Sequence, residues 1–102
     1  MVGGSTNIAP DSPSVFGQLY AGDDSIVPWF QRLTDGVKQH GAAIMCQITH
    51  MGRRTAWDDG HWLPVVAPSG VRERAHRAFP KAMEQHDIDR VVDDFAAAAR
   101  RC

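Results

Sequence analysis

Two short clusters of polar side chains could carry chemistry in this sequence. Ser5, Thr6 and Asn7 follow Val2-Gly3-Gly4, and Gln47, Thr49, His50, Arg53, Arg54 and Thr55 follow an apolar run at residues 42–46. Gln47 is the most telling of them. An amide at the end of an apolar strand needs both a donor and an acceptor, or its burial is costly. A flat heterocycle with adjacent C=O and N–H groups satisfies both needs; so does neighbouring backbone, and spacing alone leaves the two open. His50 can act as a proton donor, an anion contact or a loop anchor. Arg53 and Arg54 can grip a carboxylate or phosphate with two parallel hydrogen bonds, although one of two adjacent arginines often only clamps a loop. Trp57 and Trp62 offer aromatic faces, either as a substrate wall or cation–π box for a tertiary or quaternary amine, or as pins for an irregular loop.

Other chemistries find no support. His50, His61, His76 and Asp58 are spaced like no compact zinc motif, and no cysteine pair joins them, so no metal site is expected. There is no phosphate-binding Walker loop, no Gly-x-Ser-x-Gly elbow and no dinucleotide fingerprint. With 102 residues, 43% hydrophobic and 23% charged, and a net charge of −1, the chain fits a globular unit and lacks the basic excess of a nucleic-acid binder. No apolar run approaches the ~20 residues of a membrane-spanning helix, so neither a membrane nor a nucleic acid is expected as partner. No secretory leader is visible after Met1. Cys46 and Cys102 make no disulfide framework, and Cys46 reads as a buried, reduced thiol. The expected compartment is cytoplasmic.

The polar clusters need elements to hold them. Ile26, Phe30, Leu33 and Val37 recur at helical spacing and predict a helix over residues 25–40, with Asp23, Asp24 and Ser25 at its start, Pro28 in its first turn and Gly41 at its stop. Residues 42–49 are almost continuously apolar, which predicts a strand covered on both faces. Residues 85–101 predict a second helix with Ile88, Val91, Val92, Phe95, Ala98 and Ala99 as its buried stripe, opened by a capping box of Glu84 and Asp87. Residues 1–6 read as the end of another strand. Strand, loop, helix, strand, long loop, helix is a β/α alternation. Two parallel strands enclose no core, so the chain is expected to be an incomplete part of one larger domain. In such architectures sites form at the carboxyl ends of strands, where both polar clusters lie.

The wording of these segments resembles a known family. Gln47-Ile48-Thr49-His50-Met51-Gly52-Arg53-Arg54 is similar to the Gln-Leu-x-His-x-Gly-Arg motif of the old yellow enzyme and NADH:flavin oxidoreductase family. Pro64-Val65-Val66-Ala67-Pro68-Ser69 resembles its Pro-x-Ala-Pro-Ser segment, and residues 79–100 its following helix, with Glu84 where the family usually has a capping threonine. Ile8-Ala9-Pro10 fits the loop after the second strand. The resemblance implies part of a (β/α)8 TIM barrel binding FMN, from the end of the second strand through the third helix, in residues 1–102. It implies that Gln47 hydrogen-bonds the pyrimidine edge of the flavin and that Ser5 lies beside the ring. His50, Arg53, Trp57 and Trp62 are then candidate substrate contacts; the family's His-x-x-His or His-x-x-Asn substrate pair and its phosphate-binding residues belong to segments outside this chain, and no catalytic residue is assigned within it.

Within the family, the wording from Cys46 to Thr55, with Trp57 and Trp62, is similar to the branch around trimethylamine dehydrogenase and the N-methylproline and dimethylglycine demethylases. That implies FMN-dependent oxidative demethylation of a small-molecule substrate, an N-methylated amine or amino acid, by hydride transfer to flavin, with NAD(P)H and an iron–sulfur cluster as further cofactors of the full-length protein, without ligands here, and a homo-oligomeric parent. The alternative in the same class is an NAD(P)H-dependent ene-reductase acting on activated C=C bonds. The alternative from another class is a non-enzymatic binding module built on the tryptophans and arginines.

Overall fold

The computed structural model describes residues 2–13, 17–55, 63–75 and 79–102. Its elements are β1 (Val2–Asn7), α1 (Val27–Lys38), β2 (Cys46–Thr49), β3 (Val66–Ala67), β4 (Lys81–Ala82) and α2 (Gln85–Arg101), with 3-10 turns at Asp24–Ile26 and Gly52–Arg54. This is a mixed α/β arrangement with parallel strands.

β1 pairs in parallel with β2, Val2 opposite Cys46, Thr6 opposite Ile48 and Asn7 opposite Thr49. Four steps along β1 (2 to 6) match two along β2 (46 to 48), so β1 is bulged. The bulge contains Ser5, whose φ of +137° is rare for any residue but glycine. The other edge of β1 meets residues 19–21: Asn7 donates its N–H to the Leu19 carbonyl at 2.7 Å and accepts from Ala21 at 2.8 Å.

α1 opens as the sequence predicts, with one refinement. Asp23 accepts from the Ser25 amide at 2.8 Å, but the turn it caps is 3-10, and regular α-helix starts only at Val27. Gly41, at φ +69°, takes the left-handed stop. β2 is shorter than residues 42–49 because the ladder with β1 begins at Cys46.

Of the two faces expected to be covered, the described residues cover one. Ile44, Cys46 and Ile48 are half-buried, whereas Met45 (70% exposed) and Gln47 lie open. The covered face meets α1 and α2: Ile8, Ala9, Ala21 and Ala98 form the core with Ile26 and Ile48 against it. Phe30 and Leu33 of α1, Ile44 before β2, Cys46 of β2 and Cys102 after α2 line one cavity of about 160 Å³. Among the described residues nothing covers the opposite face, so the apolarity of residues 42–46 exceeds what this segment itself buries.

Helix α2 also differs in its buried stripe. Asp87 and Ala98 are buried and Val91, Asp94 and Arg101 half-buried, a line at spacings of four, three, four and three. Ile88, Val92, Phe95 and Ala99 are exposed instead. The helix thus turns a line of mixed charged and small apolar residues toward the rest of the segment, and its apolar edge of Ile88, Val92, Phe95 and Ala99 stays open among the described residues. The capping box forms as expected: Asp87 Oδ2 accepts from the Glu84 amide at 2.9 Å, and the Glu84 carboxylate accepts from the Asp87 amide. Lys81 adds an ion pair to Asp87 at 2.8 Å. In the full-length protein, Glu84→Ala is expected to lower stability by about 1 kcal/mol through loss of the cap, while Glu84→Thr keeps it. Urea unfolding of the three proteins side by side checks this; equal midpoints would show that the box contributes nothing.

The long connection from β2 to α2 contains an unexpected element. β3 and β4 pair in parallel, Val66 with Lys81 and Ala67 with Ala82. Lys81 donates to the Val65 carbonyl at 2.8 Å and Met83 to that of Ala67 at 2.9 Å. The base of the excursion between them is therefore closed by backbone.

Candidate functional site

Gln47 sits in the middle of β2 on the uncovered face, and its side chain makes no hydrogen bond among the described residues. Period-two alternation explains the placement: Cys46 and Ile48 turn toward the helices, so Gln47 turns away from them. Its amide is not spent on neighbouring backbone and remains available as donor and acceptor.

Ser5 is half-buried in the bulge, where its Oγ is hydrogen-bonded by Gln18 Nε2, which also approaches Met51 Sδ at 3.9 Å. Gln18 thus links the β1 bulge to the segment leaving β2, and its own Oε1 is buried without a partner among the described residues. Thr6, fully buried, faces the other way and contacts Cys46 Sγ at 3.2 Å. Asn7 is consumed by its loop: its side chain donates to the Ala9 carbonyl at 2.8 Å and accepts from the Ala9 amide at 3.2 Å.

His50 is placed inward. Its side chain is 5% exposed; Nδ1 accepts from the Gly52 amide at 3.1 Å, and Nε2 points at Asp11 Oδ1, 3.6 Å away. Of the three roles the sequence left open, this geometry is that of an anchor. Asp11 is in turn gripped by Arg90 of α2, Nη2 to Oδ2 at 2.6 Å and Nη1 to Oδ1 at 3.3 Å. Burial pushes the Asp11 carboxyl upward, but the His50 and Arg90 side chains outweigh it and hold the group below its ordinary range. Ser12, fully buried, accepts the Met51 amide at 2.6 Å. Asp11, Ser12, Gln18 and Arg90 were not singled out by sequence. Arg90 looked like part of the wet side of α2, and Asp11 lies 79 positions away from it.

Arg53 and Arg54 stand exposed on the 3-10 turn directly after His50 and form no salt bridge among the described residues. Trp57 and Trp62, with His61, Asp58 and His76, lie outside the described residues. Among the described residues, no three His, Cys, Asp or Glu side chains gather to hold a metal ion, and no helix is long and apolar enough to cross a membrane. Cys46 is free, as expected, but half-buried where a buried thiol was expected; Cys102, exposed and also free, has its pKa raised to about 11 by burial and by the neighbouring Cys46.

Taken together, a free amide on an open strand face, a strained serine beside it and a tightly anchored turn after it suit a planar polar ligand lying over the strands. Relatives carry the same segment. A probable N-methylproline demethylase of Rhizobium meliloti (strain 1021) is 59% identical over 101 residues, 99% of this chain and 15% of that protein. A multifunctional alkene reductase/demethylase of Caballeronia cordobensis is 51% identical over 102 residues, all of this chain and 15% of the relative. An N,N-dimethylglycine/sarcosine dehydrogenase of Chromohalobacter salexigens is 48% identical over 100 residues, 97% of this chain and 14% of its own length. The chain therefore spans about 15% of the length of these relatives. A family profile matches from residue 1 to residue 102, in agreement with the motif wording and the parallel β/α order, and the chain belongs to the NADH:flavin oxidoreductase / NADH oxidase family.

Proposed function

We propose that the protein containing this segment is an FMN-dependent oxidoreductase that demethylates an N-methylated amine or amino acid. In this reading residues 1–102 run from the end of the second strand through the third helix of a (β/α)8 barrel. The uncovered face of β1 and β2 is then the barrel interior, and α1 and α2 belong to the outer ring. The observation that carries the reading is the unpaired Gln47 amide on that inner face, at the position matching the family's flavin-binding glutamine.

The residues fit such a cofactor. Gln47 offers a donor and an acceptor to the pyrimidine edge, and Ser5 lies in the neighbouring strand. When bound, FMN supplies a two-electron acceptor for a hydride leaving the carbon next to the substrate nitrogen. The chain's own part is to hold the ring by Gln47 and to shape the rim. Arg53 supplies positive charge to a substrate carboxylate, and Trp57 and Trp62 offer π faces to an ammonium group, worth ~1–2 kcal/mol where water is excluded. The oxidised substrate then takes up water and parts into a demethylated amine and an aldehyde.

Amine oxidation and ene reduction need the same amide contact, so Gln47 does not separate them. One relative is named for both activities, which supports treating ene reduction as a second activity of one site. The binding-module alternative loses its basis, since the family match covers the whole segment. NAD(P)H, an iron–sulfur cluster and a homo-oligomeric state remain proposals for the full-length protein. Anaerobic mixing of the full-length flavoprotein with N,N-dimethylglycine, N-methylproline or trimethylamine is expected to bleach the flavin absorbance for at least one amine. If no amine bleaches it while NADPH drives brisk enone reduction, the demethylase reading falls to the ene-reductase.

A further inference from the structure

Beyond the groups that face the ligand, the geometry points to Asp11 as a positioning residue for the flavin-binding amide, acting through His50; the inference rests on the flavin reading above. Three anchors fix the segment that leaves β2. The Thr49 carbonyl accepts from the Ile8 amide at 3.2 Å, the Met51 amide donates to Ser12 Oγ at 2.6 Å, and the Gly52 amide donates to His50 Nδ1 at 3.1 Å. All three lie within five residues of Gln47, and two of them come from residues 8–12 on the β1 side.

The imidazole is the one anchor that is itself held from a distance. Because the Gly52 N–H occupies Nδ1, the neutral ring carries its hydrogen on Nε2, which is buried, lacks a hydrogen-bond partner among the described residues and faces Asp11 Oδ1 at 3.6 Å. A buried N–H at that distance from a carboxylate is favourably oriented by charge even without a full hydrogen bond. Asp11 cannot swing away, because Arg90 holds both of its oxygens and is itself held by Asp94 at 3.0 Å. A line of contacts therefore runs from α2 through Arg90 and Asp11 to the ring at the exit of the strand that bears Gln47. Binding a planar ligand through one amide tolerates little displacement of that amide, so loss of the line registers as weaker ligand binding.

A merely structural ion pair makes a different prediction, and a double-mutant cycle separates the two. In the full-length flavoprotein, Asp11→Asn is expected to raise the FMN dissociation constant threefold to tenfold and shift the visible spectrum of the bound flavin. His50→Asn, which keeps an acceptor for Gly52 but no longer reaches Asp11, is expected to do the same, and the double variant to be no worse than either single one. Arg90→Lys keeps the charge without the two-pronged grip and is expected to fall between wild type and Arg90→Leu; it serves as the probe should Asp11→Asn fail to fold. If these variants lower the melting temperature but leave FMN affinity and spectrum unchanged, while Gln47→Ala weakens FMN, the positioning role is overturned and the flavin reading stands. If the wild-type protein binds no flavin, both fall.

Discussion

Gln47→Ala in the full-length flavoprotein is expected to weaken FMN binding about tenfold and to lower the reduction potential of the bound flavin. One lost hydrogen bond to a neutral acceptor costs roughly 1 kcal/mol, and one to a charged acceptor roughly 1.5–3 kcal/mol. The reduced flavin carries its negative charge at the N1–C2=O edge, so it loses more than the oxidised form. A difference of about 1.4 kcal/mol between the two forms corresponds to roughly 30 mV for a two-electron couple. Gln47→Glu adds repulsion at the same edge and is expected to lower the potential further. The side chain is bonded to nothing among the described residues, so the substitution removes no hydrogen bond within this segment. Fluorescence titration with FMN and a dye-coupled potential measurement check both effects. Wild-type affinity and potential in the alanine variant would remove Gln47 from the site.

Ile8→Ala is expected to be the most destabilising single substitution in this segment, at about 4 kcal/mol. Ile8 is 1% exposed, and its neighbours in the core are Ala9, Ala21 and Ala98, with Ile26 and Ile48 against them. Burial of the removed atoms accounts for part of the cost, and the cavity for the rest. Three of the neighbours are alanines with no rotamers to change, so the hole closes poorly and the cost falls toward the upper end of the usual ~2–5 kcal/mol range. Ile8→Val removes a single methylene and should cost about 1 kcal/mol. Chemical unfolding of the full-length protein measures both; a loss below about 1.5 kcal/mol for the alanine variant would show that the backbone collapses onto the cavity.

The two helices were legible in the sequence because each depends on local signals: Asp23 and Pro28 at the start of one, Glu84 and Asp87 at the start of the other. The side chosen by each helix was less so. Ile88, Val92 and Phe95 are as apolar as Val91 and Ala98, and only the position of the sheet decides which edge it covers. Gln47 could be found because an amide in an apolar run is conspicuous. Asp11 and Arg90 could not, since each looks like an ordinary surface charge until the chain brings them together across 79 positions. The β3–β4 pairing escaped for a related reason: two residues per strand are too few to show any period.

That small ladder has an evolutionary consequence. Val66 and Ala67 meet Lys81 and Ala82 through main-chain hydrogen bonds, so backbone groups close the base of the excursion. Lengthening a loop closed at its base is thermodynamically cheap, with each doubling costing only about 0.6 kcal/mol. Insertions, deletions and sequence drift between the two strands can therefore accumulate without reaching Gln47 or the anchors of His50. Descendants of one ancestor can diversify this excursion while inheriting β2 and the turn after it unchanged, which makes the excursion a natural place for laboratory evolution to randomise length as well as sequence.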